Sequence, residues 1–292
     1  MLGSLAADAP HPSDAVHPPA VTVSAGGCSA SPLPMDASCA AAARQLFRAA
    51  AAGIGLPDET IYEGVTMASE LAANSMHARA AVQFDGVLGC PVAGAPELWL
   101  YLRRAAGQQE LVCKVFDALP GWKNGQPPDP LAGDPLATDP LAADPLAEQE
   151  ESGRGLCVVQ ALSAGRWGYH PTRARLGGWK VPGKTVWFAQ PVPPGTALDR
   201  FRQAQPGSLQ AAASLERMLS DRGLGHIVRA DAPASGMSVL SIRRGLTVWV
   251  RSRVVSWTSR AGGREWREFS DMVDAAEQIV CAHEELASAD AA

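Results

Sequence analysis

Between Pro127 and Glu148 the chain reads DPLAG, DPLAT, DPLAA, DPLAE, one five-residue unit written four times. Each unit has a single proline and a single leucine, too little apolar surface to pack, and no neighbouring unit supplies more. The stretch is therefore a flexible insertion and not a repeat fold. That constrains everything around it: the ordered text before Gly121 and after Ser152 has to meet in space without help from the residues between. The insertion is also where the charge sits. From Gly121 to Gly153 four Asp and three Glu stand against one Lys, a net of −6, so with −5 for the whole chain the remainder sums to +1.

That remainder is ordinary globular text, 47% hydrophobic and, at 292 residues, long enough for two cores. The six cysteines, at 28, 39, 90, 113, 157 and 281, have neither metal-ligand spacing nor disulfide-scaffold density, which points to a reducing compartment. No basic-then-apolar leader and no 18-residue apolar run is present, so the expectation is a cytoplasmic protein with no membrane segment. Residues 1–35 are rich in Ala, Pro, Ser and Gly and read as disordered, with Ala20 to Ser24 as the one candidate edge strand.

From Asp36 the pattern is helical. Asp36 or Ser38 serves as N-cap, Leu46, Phe47, Ala50 and Ile54 form an apolar stripe, and Gly55-Leu56-Pro57 ends it. Asp58 then caps a second helix whose inward face is Ile61, Val65, Ala68 and Ala72. On that helix, Glu70 and Asn74 are four apart and share one face. An acid and an amide at this spacing suit a base beside a Mg²⁺ ligand: Asn74 supplies one oxygen of an octahedral shell, and Glu70 takes a proton from an attacking hydroxyl.

Leu98–Arg103 and Glu110–Phe116 read as a hairpin, and Asp117 places a carboxylate at the tip of its second strand. After the insertion come Ser152, Gly153, Arg154 and Gly155, then an apolar helix through Val158, Val159 and Leu162. Glycines just ahead of a helix let backbone amides approach phosphate oxygens at the positive end of its dipole. Trp167–Tyr169 and Gly183–Gln190 read as the last strands of the same sheet, with Thr185 turned toward the pocket.

Taken in order, SELAANS, VFDALP, SGRGL and GKTVW resemble the motifs of the Bergerat-fold, histidine-kinase-like ATPases, and most closely the anti-sigma-factor serine/threonine kinases and actinobacterial ATP-binding regulators. The resemblance covers about residues 36–191. It implies an α/β two-layer sandwich, a mixed sheet covered by helices on one face, binding ATP and Mg²⁺, with the insertion at 121–152 as lid. It further implies Glu70 as catalytic base, Asn74 as metal ligand, Asp117 as acceptor of the adenine amino group, Gly153 and Gly155 as phosphate-loop glycines, and Thr185 as helper at the adenine. Kinase relatives carry an Arg two residues before the first lid glycine. Here Glu151 stands there, which leaves Arg154 to reach the terminal phosphate. The implied activity is phosphorylation of a small anti-sigma-factor antagonist by a serine/threonine protein kinase, with a sigma factor as further partner and a homodimer left open. The alternatives are a non-catalytic, nucleotide-gated sequestering protein and a hydrolase using water in place of serine.

Beyond a linker at 196–207, residues 208–292 read as a small α+β accessory domain: a helix at Ser208–Arg222, three or four strands, and a helix at Asp271–Ala287 with Met272, Ala275, Ile279 and Ala282 as its stripe. Leu246–Trp257 reads as one alternating strand, with Trp249, Arg251, Arg253, Val255 and Trp257 on its second face. Seven Arg and one Glu lie between Arg243 and Arg267. Such a face suits single-stranded nucleic acid or an acidic partner, the chain's own acidic insertion included, but an exposed strand face on which Arg simply covers Trp is the commoner arrangement and makes nucleic acid the lesser expectation.

Overall fold

The structure, a computed structural model, describes residues 23, 27–84, 95–119, 122, 151–178, 180–194, 196, 206–259 and 262–290, and side chains throughout these except at 77–84 and 151–154. The repeats, the first 22 residues and most of the linker fall outside that set. Among the described residues the protein is a mixed α/β chain with two five-stranded antiparallel sheets and five α-helices. Among the described residues no helix is long and apolar enough to cross a membrane.

Two N-terminal helices cover one face of the first sheet. Helix α1 (Cys39–Gly53) ends where Gly55 turns into the left-handed region at φ +79°; Leu56 N–H then donates back to Ala51 O and Gly55 N–H to Ala52 O, which satisfies carbonyls of the last turn. Helix α2 (Asp58–Phe84) begins at Asp58 itself, with Asp58 and Glu59 in the positively polarised first turn. The two helices cross at Gly64, where a Cβ would stand 2.2 Å from the Phe47 ring. Phe47 in turn packs on Phe188, ring centroids 5.6 Å apart.

The first sheet runs β1 (Cys28–Pro32), β2 (Glu97–Ala105), β3 (Gln108–Asp117), β5 (Pro182–Pro191), β4 (Trp167–Arg173), and helix α3 (Glu151–Leu162) joins α1 and α2 on its face. Three expectations need correction here. Every strand pairing in this sheet is antiparallel, so it is not a mixed sheet. An edge strand does precede α1, but it is Cys28–Pro32, inside the stretch read as disordered, and its backbone pairs with β2 through small side chains that carry little apolar signal. Of the Ala20–Ser24 candidate only Val23 is described, and it is buried.

The third correction concerns the layers, because both faces of the sheet are covered. Leu98, Leu100, Leu111, Cys113 and Val115 point to the helices, whereas Trp99, Tyr101, Val112 and Phe116 are equally buried on the opposite side. Burial on two sides is why ELWLYL is a nearly unbroken apolar run instead of an alternation. The cover on that second side is the last helix, α5 (Met272–Asp290), in contact with β2 and β4.

The second sheet is a meander ordered β10-β9-β8-β7-β6: β6 (Val228–Ala232), β7 (Met237–Arg243), β8 (Leu246–Arg251), β9 (Val254–Thr258) and β10 (Arg264–Glu268). Helix α4 (Ser208–Ser220) and one side of α5 bury its inner face around Leu215, Leu240, Val248, Val255, Trp257 and Ile279. The single strand expected at Leu246–Trp257 is a hairpin. Ser252 and Arg253 both take positive φ, +51° and +67°, as a two-residue type I′ turn demands, and neither residue advertises that turn as Asn-Gly does. The reversal puts Val255 and Trp257 in the core beside Val248 and Val250, and leaves Trp249 and Arg251 outside.

Candidate functional site

Helix α2 delivers Glu70 and Asn74 half-buried, because Met67, Ala68, Leu71 and Ala72 on the adjoining face lock it onto the sheet. Leu156 and Val159 seat the start of α3 on the same core, and this brings Gly155 against the pair. A Cβ at Gly155 would lie 2.9 Å from Glu70 Oε2 and 3.0 Å from Asn74 Nδ2. Only a glycine permits that approach without displacing the acid and the amide. Gly153 and Gly155 are inside the first turn and a half of α3, which begins at Glu151, and do not form a loop ahead of it as the sequence suggested. The amide of Gly153 therefore belongs to the first turn, whose N–H groups have no partner within the helix, while Gly155 serves close packing. Arg154 lies between them, and its side chain is outside the described set.

Asp117 ends β3 on the helix-covered face, in line with Val115 and Cys113. Its Oδ1 accepts from the Leu119 N–H at 3.0 Å, a local turn that fixes the carboxylate. Its Oδ2 accepts from Lys184 Nζ at 2.9 Å. Lys184 also donates to Leu119 O at 2.6 Å and stands 5.2 Å from the centre of the Trp122 ring. Register puts Lys184 directly opposite Asp117, and Gly183 beside them is tight enough that a Cβ would fall 2.3 Å from Asp117 O.

Thr185 is a correction. Strand alternation sends Lys184, Val186 and Phe188 to the helix side, so Thr185 points to the other face, where its hydroxyl lies 3.3 Å from His170 Nε2 and is fully buried. The strand's contribution beside Asp117 is Lys184, one residue earlier. The signal was available: Lys184 shares parity with the apolar Val186 and Phe188.

What sequence reasoning missed is the polar cluster on that second face. Glu277 of α5 is fully buried and its Oε1 accepts from Arg175 Nη2 at 2.6 Å and from Arg222 Nη1, with Lys114 Nζ 3.6 Å from Oε2. Burial pushes this carboxyl up, but the Arg222 and Arg175 guanidiniums and the Lys114 ammonium outweigh it and hold Glu277 well below the usual carboxylate range. Lys114 Nζ is 2.9 Å from His170 Nε2, while Nδ1 donates to Pro171 O at 3.0 Å, which fixes the neutral tautomer. Burial, then the Lys114 charge, lowers the imidazole to about 3. Tyr101 donates to Asp274 Oδ1 at 3.0 Å, and Arg173 pairs with Glu284 at 2.6 Å. These bonds fasten α5 to the first sheet.

No known protein-family profile matches this chain, and no curated protein matches it. The donor chemistry itself must then say what the first site can hold. Asn74 offers a hard neutral oxygen, and Mg²⁺ characteristically takes only one or two protein oxygens, filling its shell with water and phosphate. Among the described residues no group of three or more His, Cys, Asp or Glu is arranged to hold a metal alone. The residues fit a metal carried in by a polyphosphate.

Proposed function

We propose that the protein is an ATP-binding regulator of the Bergerat type that acts as a serine/threonine protein kinase on a small anti-sigma-factor antagonist, a sigma factor being its further partner. The observation that carries the reading is the convergence of Glu70, Asn74 and Gly155, an acid and an amide meeting a glycine in the second turn of α3. The strand-tip Asp117 on the same face of the sheet supports it.

In this reading Asn74 Oδ1 holds Mg²⁺, which offsets charge on the phosphates. The first-turn amides of α3 bind the phosphate tail, and Arg154, between the two glycines in sequence, is the residue assigned to its terminal phosphate. Asp117, fixed by Leu119 N–H and Lys184, has lone pairs left on both oxygens to accept from the adenine amino group. Glu70 orients the partner's hydroxyl and takes its proton as the new O–P bond forms and the bond from the terminal phosphorus to ADP breaks.

Incubation with radiolabelled ATP and a soluble extract of the source organism should label a small protein on Ser or Thr. Glu70→Ala should abolish the label while ATP binding persists; label transfer that survives in Glu70→Ala contradicts the assignment. ATP binding without any transfer by the unaltered chain would replace the kinase with the nucleotide-gated sequestering protein.

A further inference from the structure

The outer face of the second sheet, opposite α4 and α5, carries a slot. Trp249 on β8 and Trp266 on β10 both lie in register with Ser256 of β9 between them, and they are 41% and 56% exposed. Two strand spacings set the tryptophans roughly 9.6 Å apart. The side chain on the floor between them, Ser256, is small, and the Arg264 guanidinium reaches its Oγ. Beside Trp249 on this face is a groove of about 350 Å³ lined by Trp249, Arg251, Ser256, Trp257, Thr258 and Arg264, with Trp266 outside the lining.

The backbones of its two arginines are at opposite ends: Arg251 follows Trp249 by two residues, and Arg264 precedes Trp266 by two but reaches inward, its Nη2 3.2 Å from Ser256 Oγ. Elsewhere Arg103, Arg173, Arg222, Arg229, Arg243 and Arg267 each pair with a carboxylate; among the described residues neither Arg251 nor Arg264 does. Four residues along the strands and two strands across place their Cα atoms roughly 17 Å apart.

We propose that this slot binds an extended acidic, proline-containing segment, and that its occupant is the chain's own DPLA repeat, residues 129–147. An Asp recurs every fifth residue there, and five residues span roughly 15.5 Å as polyproline II and about 17 Å when fully extended. That repeat is close to the separation of the two arginine Cα atoms, so each of two successive carboxylates is within a side chain's length of one guanidinium. The leucine and alanine midway between successive aspartates then fall over the tryptophan row and supply the apolar contact, while the proline keeps the segment extended. Charge favours this occupant over nucleic acid: Glu268 shares the face, and two arginines neutralise few phosphates.

The test uses the full chain with Asp129, Asp134, Asp139 and Asp144 changed to Asn, so that its own repeats no longer compete. A fluorescein-labelled peptide with the sequence of residues 129–147 should bind saturably by anisotropy, more weakly as salt rises. Adding Arg251→Glu and Arg264→Glu, or Trp249→Ala, should cost at least about tenfold in affinity with an unchanged melting curve. The unsubstituted chain should bind the peptide several-fold more weakly, its slot being filled. Absence of saturable binding, equal affinity in the Arg→Glu chain, equal affinity in the unsubstituted chain, or tighter binding of a single-stranded oligonucleotide would each overturn the proposal.

Discussion

Replacing Glu277 by Gln removes one charge and almost no volume, which isolates the electrostatic part of the bond between α5 and the first sheet. Glu277 is fully buried and is met by Arg175, Arg222 and Lys114. The substitution strands those cations, since the other buried acid of the cluster, Asp274, is already engaged by Tyr101 and Arg267. Removing one partner of a buried ion pair costs about 3–5 kcal/mol, against a total stability of about 5–15 kcal/mol for a typical domain. At roughly 2–4 °C per kcal/mol the melting temperature should drop by about 6–20 °C. Urea unfolding followed by circular dichroism measures it. Adding Arg222→Met to the Gln variant should recover part of the loss, because it withdraws one unbalanced charge. A loss below about 1 kcal/mol, the figure for an exposed pair, would refute the claim that this cluster holds the two parts together.

Two further perturbations probe the packing and the titration. Gly64→Ala puts a methyl within 2.2 Å of Phe47 and 2.4 Å of Gln190 Oε1, so it should destabilise by about 1–3 kcal/mol in thermal melts; an unchanged melting temperature would show that α1 and α2 cross elsewhere. His170 has a folded pKa of about 3 against an ordinary 6.5, so below pH 6.5 the unfolded chain binds a proton that the folded chain refuses, and stability falls as pH falls. At about 1.4 kcal/mol per pH unit this contributes about 2 kcal/mol of loss between pH 6.5 and 5. His170→Gln should lack that part of the slope in urea titrations at the two pH values, and identical slopes would place the imidazole in water.

Helices with one buried face and strands buried on both by apolar side chains were legible in the sequence. The stripe Leu46, Phe47, Ala50, Ile54 marked α1, Val65, Ala68 and Ala72 marked the inner face of α2, and the hairpin of β2 and β3 stood out by its apolar runs. So did Glu70 and Asn74 as neighbours, because helical spacing is local information. Their meeting with Gly155 joins residues 85 and 81 positions apart, and nothing in either segment states it.

Helix α5 shows the opposite limit. Its stripe of Met272, Ala275, Ile279 and Ala282 was readable, but Asp274, Glu277 and Glu284 look like a solvated face. Glu277 and Glu284 are buried against cations more than 50 residues away, Arg222, Arg175 and Arg173, and Asp274 against Arg267 of β10. Charge hides burial whenever its partner is distant in sequence. Thr185 failed for a smaller reason: an error of one residue in a strand exchanges its faces. The turn at Ser252-Arg253 was hidden because two ordinary residues adopt positive φ there.

Calorimetric titration of the full chain with ATP and Mg²⁺ tests the central claim most directly. The account predicts saturable heat with one nucleotide per chain, and an affinity reduced by about tenfold or more in Asp117→Asn, which keeps the shape of the carboxylate and loses an acceptor. Circular dichroism checks that this variant is folded, since Lys184 loses its ion pair. No saturable heat at millimolar ATP, or an Asp117→Asn chain that is folded and binds as tightly as the original, would contradict it.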